Sequence, residues 1–454
     1  QSVRRLGATD YLVADTGNNR VVRIDRGGIL RWSVDRLNDP YGILAPGDPE
    51  TLNAPTDVLT RQLSSFNAGG VRVGFETHYL IADSGNGRIV DVVDYFDLNG
   101  QPRIPVGTGA STGVVVWTTR TKSQSGENLS YHNLQLIAGR DGALAGKPIL
   151  VASVSNSGVA SVNNNDASNT SGGSLVQLDY NPYNTGFVLV DPATGVFNQV
   201  KYYWAQAAGT TQVYNPATAT IPEPATNGKP LLAINELRFK NGGNVSAVKR
   251  LNAATYFEQI PLNIAGTPAP ESVYLIVDAD GVYACIVQVD VATGKSFFDV
   301  LWRFGQEDYD RINGGTPLGG RFYGAAAPVA PLRNNALPRF SPSSVKRLAN
   351  GHFLITNSAS GASALFESGQ FLGEVFEVSL PPVVGTSIFD VDATSGVVNN
   401  TVGAGALFEK FSAPSIERGA DAFGTNPRRL NKQQMGRDTN GAPVTEQPRS
   451  ADRL

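Results

Sequence analysis

The 454-residue chain is short of the side chains on which most protein chemistry relies. Its single cysteine, Cys285, excludes an internal disulfide framework. That thiol sits in "VYACIVQVD", a strand-like apolar run where a buried, inert role is expected. Only three histidines are present, His78, His132 and His352. Charged residues make up 17% of the chain and the net charge is −3, so no global field draws it to nucleic acid or to an anionic membrane. No apolar run reaches the roughly 18 residues of a membrane span. A Gly-x-Ser-x-Gly nucleophile elbow is missing, and the Gly-Asn turns lack the Lys-Ser/Thr of a phosphate loop.

Turn formers are abundant instead. The chain carries 49 Gly and 27 Pro beside 41% hydrophobic residues, the composition of a turn-rich β protein. A single Met, abundant Asn, Thr and Gly, and a first residue that is Gln fit an exported protein relieved of a signal segment. A secreted, extracellular location is the expectation.

One sentence is written twice. "YLVADTGNNRVVRID" near the start and "HYLIADSGNGRIVDVVD" from His78 each place a β-branched run, a Gly/Asn turn and a second strand in that order. Asp15 and Arg20, like Asp83 and Arg88, flank the turn, where a charge-assisted pair is expected. Worn copies follow. "VYLIVDADGVYACIVQVD" keeps Asp278 without the Arg, "GHFLITNS" has Asn357 in the Asp position, and "KPILVASVSNSG" reaches "GSLVQLDY" after a polar loop. Upstream, "QSVRRL", "APTDVLTR", "VSAVKRL" and "SPSSVKRL" read as opening strands. Downstream, "DRGGILRW", "DVATGKSFFDVLW" and "DPATGVFNQVKYYW" read as closing ones.

Four antiparallel strands per unit, with no helical segments between units, describe the blades of an all-β propeller. Five units are clear, and the interval from His132 to Val245 leaves room for a sixth. Insertions are expected near 60–73, 119–146, 155–172 and 205–230.

This grammar resembles the NHL repeat, well over residues 11–25 and 79–94 and partly over 272–290 and 343–380. The resemblance implies a propeller presenting a surface or central funnel. It does not imply one activity, because such propellers include protein- and RNA-binding modules as well as metal-dependent lyases and lactonases. From the lyases comes one candidate zinc set, His78, His132 and His352. His78 and His352 share a slot of their repeats, but the first repeat has Asp10 there and His132 falls outside the pattern. Calcium is a second candidate, at the Asp-rich turns of Asp278 and Asp390, although neither has EF-hand spacing. No cofactor is expected at either.

The propeller reads as residues 1–412. Beyond it, "APSIERG" echoes the opening strands, and the polar remainder to Leu454 has no core of its own. From Arg428 to Arg453 its basic residues are Arg428, Arg429, Lys432, Arg437, Arg449 and Arg453, against the acidic Asp438, Glu446 and Asp452. Such an arm suits docking on a net-acidic surface. The expected function is a non-enzymatic interaction propeller, self-assembling into an oligomer or filament through residues 413–454. A metal-dependent hydrolase or lyase with a funnel site, and a monomeric ligand-binding propeller, are the alternatives.

Overall fold

The computed structural model describes residues 2–39, 43–66, 72–99, 102–103, 112–119, 129–138, 148–154, 173–180, 188–189, 199–200, 202–205, 211–214, 230–241, 244–262, 271–306, 308–309, 321–322, 340–348, 353–357, 374–379 and 406–412. They form an all-β structure of the β-propeller class with five blade-like sheets. The chain divides into two compact units, Gln1–Ala233 and Ile234–Leu454. No helix among the described residues is long and apolar enough to cross a membrane.

In the first unit, the first blade is a meander of Val3–Leu6, Asp10–Asp15, Arg20–Asp25 and Leu30–Val34. The second runs through Pro55–Phe66, Arg72–Asp83, Arg88–Asp97 and Thr112–Thr118. The third uses Tyr131–Ala138, Pro148–Val154, Ser174–Asp179 and then Pro230–Ile234, at the junction of the units. The second unit holds a fourth blade of Tyr256–Leu262, Glu271–Asp278, Gly281–Val289 and Ser296–Gly305. Its fifth is Pro342–Arg347, Phe353–Asn357, Glu374–Ser379 and Ala406–Ser412.

Several sequence expectations change. Among the described residues, the interval from His132 to Val245 holds one blade rather than two. "DPATGVFNQVKYYW" does not close it. Its strands lie in two short ribbons, Val188–Leu189 with Gln199–Val200 and Tyr202–Ala205 with Thr211–Tyr214. Near residues 60–73, where an insertion is expected, the first two strands of the second blade reach 12 residues each, and residues 67–71 lie outside the described residues. Nor does "VSAVKRL" open the fourth blade. Asn244–Arg250 folds back on Glu236–Asn241, which runs parallel to Ser296–Gly305 at the outer edge. The Gly-Gly between these strands favours a tight hairpin over a continued path. The second blade has a smaller outer strand of the same kind, Arg36–Asn38, parallel to Thr112–Thr118.

The continuous apolar runs follow from burial on both faces of each blade. Alternate residues of a strand point to opposite faces. Tyr79 and Ile81 therefore join Leu12, Ala14 and Val21 of the first blade, whereas Leu80 and Ala82 join Tyr131, Leu150 and Val176 of the third. In the second unit, Leu275 and Val277 pack with Val345, Phe353 and Ile355 in the same manner.

A core truncation tests this two-faced packing. Leu80 is fully buried and Leu98 exposed. Leu80→Ala is expected to lower unfolding free energy by about 3 kcal/mol, and Leu98→Ala by much less than 1 kcal/mol. Urea unfolding of both variants measures the difference.

Candidate functional site

The two Asp-x-Gly-Asn-x-Arg turns share one geometry. Asp15 ends a strand, Thr16–Asn18 makes a 3₁₀ turn, and Asn19 is left-handed (φ 53°) before Arg20 begins the next strand. Asp83, Ser84–Asn86, Gly87 (φ 68°) and Arg88 repeat it. Asn and Gly are the residues that accept this backbone most readily. Each carboxylate then gathers its own turn. Asp15 Oδ2 accepts from Asn18 Nδ2 (2.9 Å) and Arg20 Nε (2.8 Å), and Asp83 Oδ2 accepts from Asn86 Nδ2 (2.9 Å) and Arg88 Nε (2.8 Å). The motif's Asn and Arg are thus both aimed at its Asp.

The second turn is covered by the segment leading into its own blade. Asn53 N–H donates to Asp83 Oδ1 (2.7 Å), and Gly85 N–H donates back to the Asn53 carbonyl (2.9 Å). Asn86 Nδ2 donates to the Thr51 carbonyl (2.8 Å) and Arg88 Nη2 to that of Pro49 (2.6 Å). A Cβ on Gly85 would lie 2.6 Å from Asn53 Cγ, so glycine is required there by close approach. Among the described residues, no lead lies across the first turn in the same way. Side-chain exposure is 24% for Asp15 and 43% for Arg20, against 0% for Asp83 and 6% for Arg88. Its Thr16 and Asn19 instead hold the next blade's lead, through the Pro55 carbonyl (2.6 Å) and Ala54 N–H (2.8 Å).

The contact recurs in the fourth and fifth blades. Asn252 N–H (2.9 Å) and Ala253 N–H (2.6 Å) donate to Asp278 Oδ1, and Ser341 N–H to Asn357 Oδ1 (2.8 Å). A repeated Leu-Asn-Ala marks two of these leads, Leu52-Asn53-Ala54 and Leu251-Asn252-Ala253, a signal that the repeat reading above passed over. Both leucines are buried, and their N–H groups bond the Asp35 and Asn235 carbonyls. In the fourth blade Tyr283 stands at the Arg position. The cation comes from Lys249, whose Nζ meets Asp278 Oδ2 and the Tyr283 hydroxyl (both 3.0 Å) and also bonds Asp280. The acidic turn proposed for calcium is therefore already paired with an ammonium.

Opening strands are joined by charge. Asp57 accepts from Arg4 Nε (3.0 Å) of the first blade and from Asn133 Nδ2 (3.1 Å) and Leu134 N–H (2.8 Å) of the third. Arg4 Nη2 also donates to the Leu134 carbonyl (2.7 Å), so three blades meet at one carboxylate. In the second unit, Glu258 accepts from Arg347 N–H (3.2 Å) and lies 3.5 Å from Lys346 Nζ.

The predicted histidines do not converge among the described residues. His78 lies buried between the second and third blades, with Nδ1 2.8 Å from Asp91 Oδ2 and Nε2 3.3 Å from Glu76 Oε2. The Tyr180 hydroxyl donates to the same Asp91 oxygen (2.7 Å). Burial alone would depress the imidazolium, but the charge and hydrogen bond of Asp91, with Glu76 adding, lift its pKa to about 9. His132 is half-buried in Tyr131–Ala138, and His352 falls outside the described residues, as do Asp390 and the arm residues Arg428, Arg429, Lys432, Arg437, Arg449 and Arg453. No group of three or more His, Cys, Asp or Glu side chains among the described residues could hold a metal ion. On the opposite face of the second blade, Arg23 bonds Asp10 (2.7 Å), and Trp32 stacks on Tyr79 at 4.1 Å. Burial raises the neighbouring Asp94 carboxyl to about 6 against the pull of Tyr79 and Arg23.

No family model matches the sequence, and no curated protein matches it. Among solved structures, Drosophila Semaphorin 1a, extracellular domains 1-2, aligns at 9% identity and TM-score 0.31 over 78% of this chain and 62% of that one. Drosophila Semaphorin 2a aligns at 9% identity and TM-score 0.31 over 79% and 62%. The chain spans 62% of the length of these structures.

The buried imidazolium makes stability depend on pH. His78 has a folded pKa of about 9 above its ordinary 6.5. Its contribution, about 3 kcal/mol by linkage, is complete below pH 6.5 and lost as pH rises through 9. Asp94, raised from 3.8 to about 6, acts in the same direction at lower pH. Urea midpoints are expected to fall between pH 7 and 9.5, and His78→Gln to flatten that fall. A wild-type midpoint that is level across this range refutes the charged histidine.

Proposed function

We propose that this chain is a secreted, non-enzymatic interaction propeller with NHL-type blades, and that it assembles with copies of itself through residues 413–454. The observation that carries the reading is the use made of the buried ionisable groups. Asp57, Asp91 through Tyr180, and Glu258 each tie one blade to the next, and His78 is held against Asp91 at the second of these joints, which is how a scaffold employs charge. Cys285 is fully buried, and burial, with Asp299 adding, pushes its thiol up, which suppresses the nucleophilic thiolate. The shared turn at residues 15–20 and 83–88 supports NHL-type blades. The export-like composition supports the location.

The arm supports self-assembly by its charge. Residues 413–454 hold seven basic and five acidic side chains, a net charge of +2 within a chain whose net charge is −3. Complementary fields steer such a segment to an acidic body, and a head-to-tail contact between copies builds rings or filaments.

Removal of residues 413–454 is expected to convert an assembly into a folded, soluble monomer, read by light scattering beside full-length protein of 48.1 kDa. An unchanged particle mass after truncation overturns the proposal. A full-length monomer does the same.

A further inference from the structure

The outermost strand of the fourth blade has an open edge. Asn244–Arg250 pairs with Glu236–Asn241 on one side, and among the described residues no strand pairs with the other. The outer strand of the second blade, Arg36–Asn38, has three residues, whereas this one has seven. A long open edge offers its N–H and C=O groups to any extended chain, so such strands are guarded by charge or by cover. Lys249 does not guard this one, because its Nζ is drawn to Asp278 and Asp280. Charge for the edge comes from Arg250 at its far end. The near end is apolar, with Val245 49% and Val248 57% exposed.

That apolar end begins with an acceptor sequence. Asn244-Val245-Ser246 is one of four Asn-x-Ser/Thr triplets, and the others have their asparagines, Asn128, Asn169 and Asn399, outside the described residues. Asn244 is exposed and follows the Gly-Gly between the two outer strands. Val245 stands opposite Lys240 and Ala247 opposite Phe239, so the backbone bulges at Ser246 and leaves it out of the ladder. The middle residue is valine, not the proline that would spoil the acceptor.

We propose that Asn244 is an N-glycosylation site whose glycan covers the open edge of this strand. The inference rests on the secreted-protein reading, since export brings the chain to the glycosylating machinery. The donor is an oligosaccharide carried on a lipid phosphate. Asn244 Nδ2 forms a bond to the anomeric carbon of the first sugar. The bond from that carbon to the phosphate oxygen breaks, and the lipid phosphate leaves with the electron pair. Nδ2 gives up one proton to a base of the transferase, and nothing is oxidised or reduced. A bulky, hydrated group of this kind needs open surroundings, which Asn244 has. At the first residue of the strand it lies beside Val245 and obstructs approach where the edge lacks charge.

The first test takes native protein separately from the cells and from the surrounding medium. Trypsin cleavage after Lys240 and Lys249 releases residues 241–249, and fragmentation in the mass spectrometer reads residue 244. A glycan on most exported copies is expected. Exported protein with an unmodified Asn244 overturns the inference and leaves the secretion reading standing. Protein found only inside the cells overturns both. The second test addresses the cover. Asn244→Gln and Ser246→Ala each remove the site, and both are expected to keep the wild-type Tm while precipitating at a several-fold lower concentration. Asn244→Gln combined with Val248→Lys, which puts charge on the edge, is expected to regain solubility. Enzymatic removal of the glycan from folded wild-type protein gives the same reading without a substitution. Unchanged solubility of the folded, glycan-free protein overturns the covering role.

Discussion

Entry into three of the blades depends on one contact. A side chain at the end of the second strand accepts a backbone N–H from the segment about to enter that blade. Asp83, Asp278 and Asn357 sit in this position in the second, fourth and fifth blades. A hydrogen bond to a buried carboxylate is worth about 1.5–3 kcal/mol and leaves a costly unpaired group when broken. That energy fixes where the chain crosses from one blade to the next. Apolar packing is non-directional and would tolerate many crossings. The requirement for glycine at residue 85 is a consequence of the same contact.

Between blades the division of labour is similar. Leucine, valine and aromatic side chains supply the bulk of the contact, and a few polar groups set how the sheets meet. The second blade illustrates this on adjacent residues. Tyr79 faces the first blade, stacked on Trp32, and His78 faces the third, clamped by Asp91 and Glu76. A neutral ring at His78 can donate to only one of the two carboxylates, so one of its two contacts is lost on deprotonation. The proton on His78 is thus a structural component of the joint.

How much of this could be read in the sequence follows from distance along the chain. The Asp–Arg turns were legible because the Asn and Arg side chains that meet each Asp lie within five residues of it. The opening strands at 3–6, 55–66 and 342–347 were legible because each precedes its partner directly. The fourth blade was not, since a Gly-Gly hairpin diverts "VSAVKRL" to the outer edge and leaves Tyr256–Leu262, which lacks the pattern, to open the sheet. The closing strand of the third blade arrives from Pro230, far beyond the series that seemed to continue at Asp191. Lys249 replaces a missing Arg from 29 residues away, and Tyr180 reaches Asp91 from 89. Such partners are set by packing between sheets, and local grammar does not encode them.

The twin turns make the limit of local reading concrete. Residues 15–20 and 83–88 have nearly the same sequence and share the Asp–Asn and Asp–Arg hydrogen bonds, yet Asp83 and Arg88 are buried whereas Asp15 and Arg20 are partly exposed. The motif alone does not decide this. Among the described residues, a lead lies across the second turn and none lies across the first. Burial of a turn in a repeat fold is therefore set by the neighbouring segment, which supplies the backbone groups that its carboxylate and amide meet.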